Sequence, residues 1–316
     1  MNMQSYNIWL NERPDESGTL SALALVDLLD ALIEASGRVL RLAVEGTSTR
    51  PGPHPQWIEE SIDFAVHPFR EGSTGVPLSV PELGSTAEQA IEQRDMWLRE
   101  PAFDETALSL LAEASTDIRQ DHRESDRYDR GVLQALTRLG SLFTTPDVSI
   151  DIENEETGEI AFSIDADYLR QAEQLERDTP SPQKVALAGE LDVIEYSRRA
   201  FKLVLEDGRR IRGEINAPTI PEEKMRDLWG KKVTLQGRAH FTPARSVQFI
   251  ETDLIRPYRE EDRLLASFSP LQGETSPLSE MTTQQLQEKQ AGNALRKIRG
   301  QWPGDESIDE LLEALD

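Results

Sequence analysis

Hydrophobic positions along the chain change period several times, and those changes divide it. Tyr6-Asn7-Ile8-Trp9-Leu10 alternates as a short strand does. Residues 17–35 then place Leu25, Leu28, Leu29, Leu32 and Ile33 at helical spacing, with Gly37 as the expected stop. Arg38–Val44 and Ser61–Val66 alternate at period two and read as half-buried strands. Helical patterns follow at Ser85–Arg99, Asp104–Arg119 and Arg130–Phe143. Val148–Ile152 and Glu159–Ile164 flank Glu155-Glu156-Thr157-Gly158 as a hairpin. The first region, residues 1–175, is therefore expected to be an α+β sandwich of sheet against helix, with the polar run Gln171–Gln183 as the linker that follows.

Residues 184–258 carry a different pattern. Strand signals stand at Val185–Glu195, Arg199–Leu205, Arg209–Ile215, Lys232–His240 and Ser246–Ile255, and a helix is expected at Pro221–Trp229. Asp207-Gly208 between the second and third strands is a tight hairpin turn. Five strands with one helix between the third and fourth is the order of an OB-like β-barrel. Residues 259–294 hold only scattered apolar side chains among Ser, Thr, Gln, Glu, Pro and Gly. That composition cannot offset an ordering cost of about 1–2 kcal/mol per residue, so a flexible linker is expected. Residues 295–316 form a separate tail.

Composition sharpens this picture. The 316 residues contain no cysteine, which removes disulfides and thiolate metal sites. No run of apolar residues is long enough to span a bilayer, and Met1–Leu10 lacks the basic and apolar regions of a secretory signal. A cytoplasmic protein with no membrane partner is the expectation. The net charge is −24, yet residues 184–258 hold 14 Lys and Arg against 11 Asp and Glu, a local +3 that leaves −27 for the remainder. General affinity for nucleic acid is disfavoured by that balance.

Candidate chemistry is sparse. His54, His67, His122 and His240 fall in different expected elements, and there is no HExxH, GxSxG, Walker or GxGxxG pattern. The expectation is a binding protein rather than an enzyme, with no catalytic residues, no metal and no cofactor. Within the barrel, Arg198, Arg199, Arg210, Arg212 and Phe241 combine cations with an aromatic ring, as a groove for single-stranded nucleic acid does. A single-stranded nucleic-acid-binding OB protein is thus the alternative function. The plainer reading of the same residues is a solvated strand face with core aromatics.

The C-terminus is more specific. Ser307-Ile308-Asp309-Glu310 fits a capping box, and Ile308, Leu311, Leu312 and Leu315 then form one stripe at i, i+3, i+4 and i+7. So short a helix is marginal in water alone, so its stripe should be buried either on a protein partner, the favoured reading, or back on the chain's own body. Upstream, Leu295-Arg296-Lys297-Ile298-Arg299 leads to Trp302, a large anchor residue between Gly300 and Pro303-Gly304.

The stretch IRGQWPGDESIDELLEAL resembles the toxin-neutralising tails of bacterial antitoxins that pair with PIN-domain ribonuclease toxins. The resemblance covers about residues 295–316, while the body is similar to uncharacterised bacterial proteins. It implies a tail that is disordered when free, with Trp302, Ile308, Leu311, Leu312 and Leu315 filling a hydrophobic groove on the toxin. It also implies that Arg296 or Arg299 reaches the toxin's acidic metal-binding site. The expected function is then an antitoxin-like inhibitor in a toxin-antitoxin system.

Overall fold

The computed structural model describes residues 2–11, 22–68, 75–92, 101–142, 148–195, 199–215 and 226–262. The expected tail and Arg198 lie outside them. Strand β1 (Met3–Asn11) is followed by helix α1 (Ala22–Glu45), the short helix α2 (Gln56–Ser61), β2 (Ala65–Val66) and β3 (Gly75–Pro81). Next come α3 (Leu83–Thr86), α4 (Glu88–Glu92), α5 (Ala107–Arg119), α6 (Arg130–Thr137), β4 (Ser149–Asn154), β5 (Glu159–Asp165) and α7 (Ala166–Asp178). The first five strands form one antiparallel sheet in the order β2-β3-β1-β4-β5. Alternate residues Tyr6, Ile8, Leu78, Val80, Ile150, Ile152 and Ile164 are buried in one core with α1, α5, α6 and α7. The α+β class is therefore what the chain adopts.

Several expectations are corrected. Gly37 does not end α1; the helix runs on to Glu45, so Arg38–Val44 is helical and not a strand. Glycine serves there as a point of close approach, since an added Cβ would lie 3.2 Å from the Ile62 side chain. The real stop is Gly46, whose φ of +78° continues the chain in the left-handed region while its N–H donates to the Leu42 carbonyl at 2.9 Å. In the expected strand Ser61–Val66, only Ala65–Val66 pairs, because Ser61 closes α2. Strand β3 is not among the expected strands, since Pro77 and Pro81 argue against one, yet it pairs with both β1 and β2.

Capping side chains set the helix starts. Thr106, not Asp104, caps α5 through a reciprocal box with Ser109, with Ser109 N–H to Thr106 Oγ1 at 3.0 Å and Thr106 N–H to Ser109 Oγ at 2.9 Å. Asp129 caps α6, which gives way at Arg138 to a 3-10 turn reaching Leu142. Asp165 caps α7 by accepting from the Tyr168 amide at 2.7 Å. The expected linker Gln171–Gln183 is largely this helix. Tyr168, Leu169, Ala172 and Leu175 bury one face of it, and only residues 179–182 connect onward.

The second half of the described chain forms β6 (Gln183–Glu195), β7 (Ala200–Val204), β8 (Arg210–Ile215), β9 (Lys232–Phe241) and β10 (Val247–Pro257). They close into a barrel in the order β10-β8-β7-β6-β9, with β8 and β10 parallel and every other pair antiparallel. Residues 226–228 are helical between β8 and β9, and Leu228 joins Leu191, Phe201, Leu203, Leu235 and Ile250 in a separate barrel core. The barrel extends past its last strand into the expected linker. A 3-10 turn at Glu260–Asp262 returns to it, with Asp262 paired to Arg256 at 2.5 Å and accepting from Thr234 at 2.8 Å. No helix among the described residues is long and apolar enough to cross a membrane.

Candidate functional site

Both cores belong to one compact unit. They meet along a seam made on one side by residues 46–50 after α1 and by residues 120–129 between α5 and α6. On the other side stand β8, β9, β10 and the turn 242–246. The segment between α5 and α6 is rich in charge, and its shape comes from Asp117. That carboxylate accepts from Ser125 Oγ at 2.6 Å and from the Arg127 guanidinium at 2.7 Å, while Arg127 also pairs with Glu113 at 3.2 Å. The buried Tyr128 ring donates its hydroxyl to the His122 carbonyl at 2.8 Å, which closes the loop on itself.

From this loop the contacts reach the barrel. Ser246 donates to Glu124 at 3.0 Å, the Ala244 amide donates to the Arg123 carbonyl at 3.3 Å, and the Gln248 side chain donates to the Tyr128 carbonyl at 3.4 Å. Arg50 bridges α1 and β8, with Glu214 at 2.6 Å and Glu45 at 3.0 Å. Gly46 lies directly under the Phe249 ring. On β9, His240 faces Glu251 of β10 at 3.3 Å, and that hydrogen bond outweighs burial to hold the Glu251 carboxyl below the usual range.

The expected nucleic-acid residues are split by this arrangement. Phe241 is 2% exposed, and Phe201 of β7 belongs to the barrel core. Neither ring is open for stacking. Arg212 turns into the seam, 3.8 Å from Asp126. Arg210 is exposed at the start of β8, and Arg199 sits in the turn before β7 with a φ of +56°. Cross-strand pairing explains the division. Arg212 stands opposite Lys202 on β7 and beside Phe249 on β10, the face that the α-helical layer covers. The β9–β10 turn, which in OB barrels flanks the ligand groove, is also docked.

What sequence reading did not find is a cavity of about 160 Å³ at the seam, walled by Val39, Leu42 and Ala43 of α1, Leu110 and Glu113 of α5, Asp126, Arg127 and Arg212. Val39, Leu42 and Ala43 share one helical ridge, a signal present in the sequence, but nothing local pairs that ridge with a barrel arginine. A more polar cavity of about 290 Å³ lies where His240 and Phe241 meet the start of α6 and Pro180-Ser181-Pro182. Among the described residues, no group of three or more His, Asp or Glu is placed to hold a metal ion.

The Asp117 network has a pH signature. Burial pushes its carboxyl upward, but the hydrogen bonds from Ser125 and Arg127 and the charge of Arg127 outweigh it, and the net pKa lies below the usual 3.8. A carboxylate depressed on folding contributes stability above its unfolded pKa and loses it as pH falls through the folded one. Acid titration is therefore expected to loosen residues 120–129 only below about pH 4, read as faster amide exchange there. Asp117→Asn should flatten that dependence, and an unchanged profile would show that the network carries no linkage.

The molecule so defined is a two-core α+β body with a five-stranded OB-type barrel whose outer face is docked on its helical layer. No protein-family model matches the chain, and no curated protein matches it.

Proposed function

We propose that this protein is an antitoxin-like inhibitor: a folded body carrying a C-terminal segment, residues 295–316, that binds and neutralises a nuclease partner of the PIN class. The observation that carries the reading is the order of residues in that segment, in which a basic stretch with Arg296 and Arg299 precedes Trp302, and a capped stripe of Ile308, Leu311, Leu312 and Leu315 follows. A helix so short gains most of its stability from covering its apolar stripe, so binding and folding are coupled. A guanidinium delivered beside it would pair with the carboxylates that a magnesium-dependent nuclease gathers.

The covered barrel face bears on the alternative reading. With Arg212 and Phe241 directed into the seam, the single-stranded nucleic-acid reading would require the barrel to undock first, and it ranks second.

Co-expression with the adjacent reading frame, whose product the proposal expects to be a PIN-class nuclease, tests the proposal. The full chain is expected to copurify with the nuclease and suppress its cleavage of RNA, and deletion of residues 295–316 to abolish both. Trp302→Ala should weaken binding by a factor of about 30 or more, the scale of an interface hot spot. Equal binding after the deletion would refute the tail mechanism.

A further inference from the structure

The seam cavity carries an inference independent of the tail. Its apolar wall comes from Val39 and Leu42 of α1 and Leu110 of α5. Among the described residues, its deeply placed cation is Arg212 from β8. Small-molecule sites are mostly apolar clefts with a few convergent polar groups, and they favour the junction of two folded cores.

The state of Arg212 indicates the ligand. Its side chain is 18% exposed, and among the described residues the carboxylate within ion-pairing distance is Asp126, 3.8 Å away and itself 70% exposed. That separation is too long for a hydrogen bond, so the guanidinium keeps the donors of its planar fork open to a ligand in the cavity. Burial accordingly pushes its pKa down, with Asp126 acting in the opposite direction. Arg127, the other cation among the described residues that line the cavity, is already engaged by Asp117 and Glu113.

We infer that this cavity binds a small monocarboxylate with a short apolar chain, the two carboxylate oxygens seated on Arg212 and the chain against Val39, Leu42 and Leu110. A flat two-oxygen anion matches the guanidinium fork. A dianion such as phosphate is disfavoured because Glu105, Glu113 and Asp126 also line the cavity. A cation gains little, since Glu113 is paired with Arg127, Glu105 accepts from the Ala102 amide at 2.7 Å, and Asp126 is largely hydrated.

Sodium hexanoate is a suitable probe, with hexanol and hexylammonium as matched controls of the same chain length, titrated into the full chain by calorimetry and thermal unfolding. Hexanoate is expected to bind saturably and raise the unfolding midpoint, and the two controls are expected not to. Arg212→Gln should weaken hexanoate at least tenfold. Because that change could also loosen the seam, Leu110→Phe, which fills the cavity and leaves the arginine in place, should weaken it comparably. Methyl NMR of the unmutated chain should place the hexanoate shifts on Val39, Leu42 and Leu110. The site is refuted by any of four results: no saturable hexanoate response, binding of either control as tight as hexanoate, undiminished binding by both variants, or methyl shifts centred elsewhere.

Discussion

Asp129→Ala is expected to lower the unfolding free energy by about 2–4 kcal/mol, because one buried carboxylate holds together two segments that are 81 residues apart. Asp129 accepts from the Val132 amide at 3.0 Å as the cap of α6, from the Ser48 amide at 3.0 Å, and from the Ser48 hydroxyl at 2.5 Å. Losing a cap costs about 1–2 kcal/mol, and stranding the buried Ser48 donors adds a further penalty of about 1–3 kcal/mol, with some relief from water that enters. An asparagine side chain at this position keeps the cap while losing part of the accepting capacity, so Asp129→Asn should cost less than half as much. Urea unfolding at constant slope measures both. A loss below about 1 kcal/mol for the alanine variant would mean that the segment 46–50 is not anchored there.

Gly46→Val is the second large effect, expected at about 2–5 kcal/mol. Two causes add. The backbone φ of +78° is strained for any residue with a Cβ, and that Cβ would stand 2.6 Å from two ring carbons of the buried Phe249. Gly52 separates them. Its φ is +102°, yet nothing lies within 4 Å of its added Cβ, so Gly52→Val carries the backbone strain without the collision. The difference between the two variants measures how tightly the barrel is seated on the end of α1. Equal losses would show that Phe249 moves aside freely and that the seam is loosely packed at this point. Faster amide exchange at residues 244–249 in the Gly46 variant, but not in the Gly52 variant, is the accompanying expectation.

Gly46 also shows where sequence reading was reliable and where it failed. The apolar stripe of α1 is legible from Leu25 onward, but the stop expected at Gly37 is displaced to Gly46. Only the approach of Ile62 to one, and the left-handed backbone of the other, distinguishes them. The later part of α7 falls in the expected linker because Ala172 and Leu175 stand in an otherwise strongly polar run, and their value depends on the surfaces that the helix covers. The barrel was legible strand by strand. Its strands alternate over five to thirteen residues, and Asp207-Gly208 marks the turn between β7 and β8.

The sequence by itself determined the α+β class, the five-stranded barrel and the absence of cysteine chemistry, and it places a capping-box pattern and an apolar stripe within its last ten residues. Each of these is a local period or a local composition, and the physics that reads it acts between near neighbours along the chain. The tertiary structure decided which barrel face is covered, that Arg212 and Phe241 turn into the seam, and that an apolar ridge of α1 meets a barrel arginine. Those facts depend on contacts between segments from about 80 to about 200 residues apart, from Asp126 with Arg212 to Gly46 with Phe249. Such pairings are selected by the total surface that two cores can bury against each other, a quantity that no window of sequence contains.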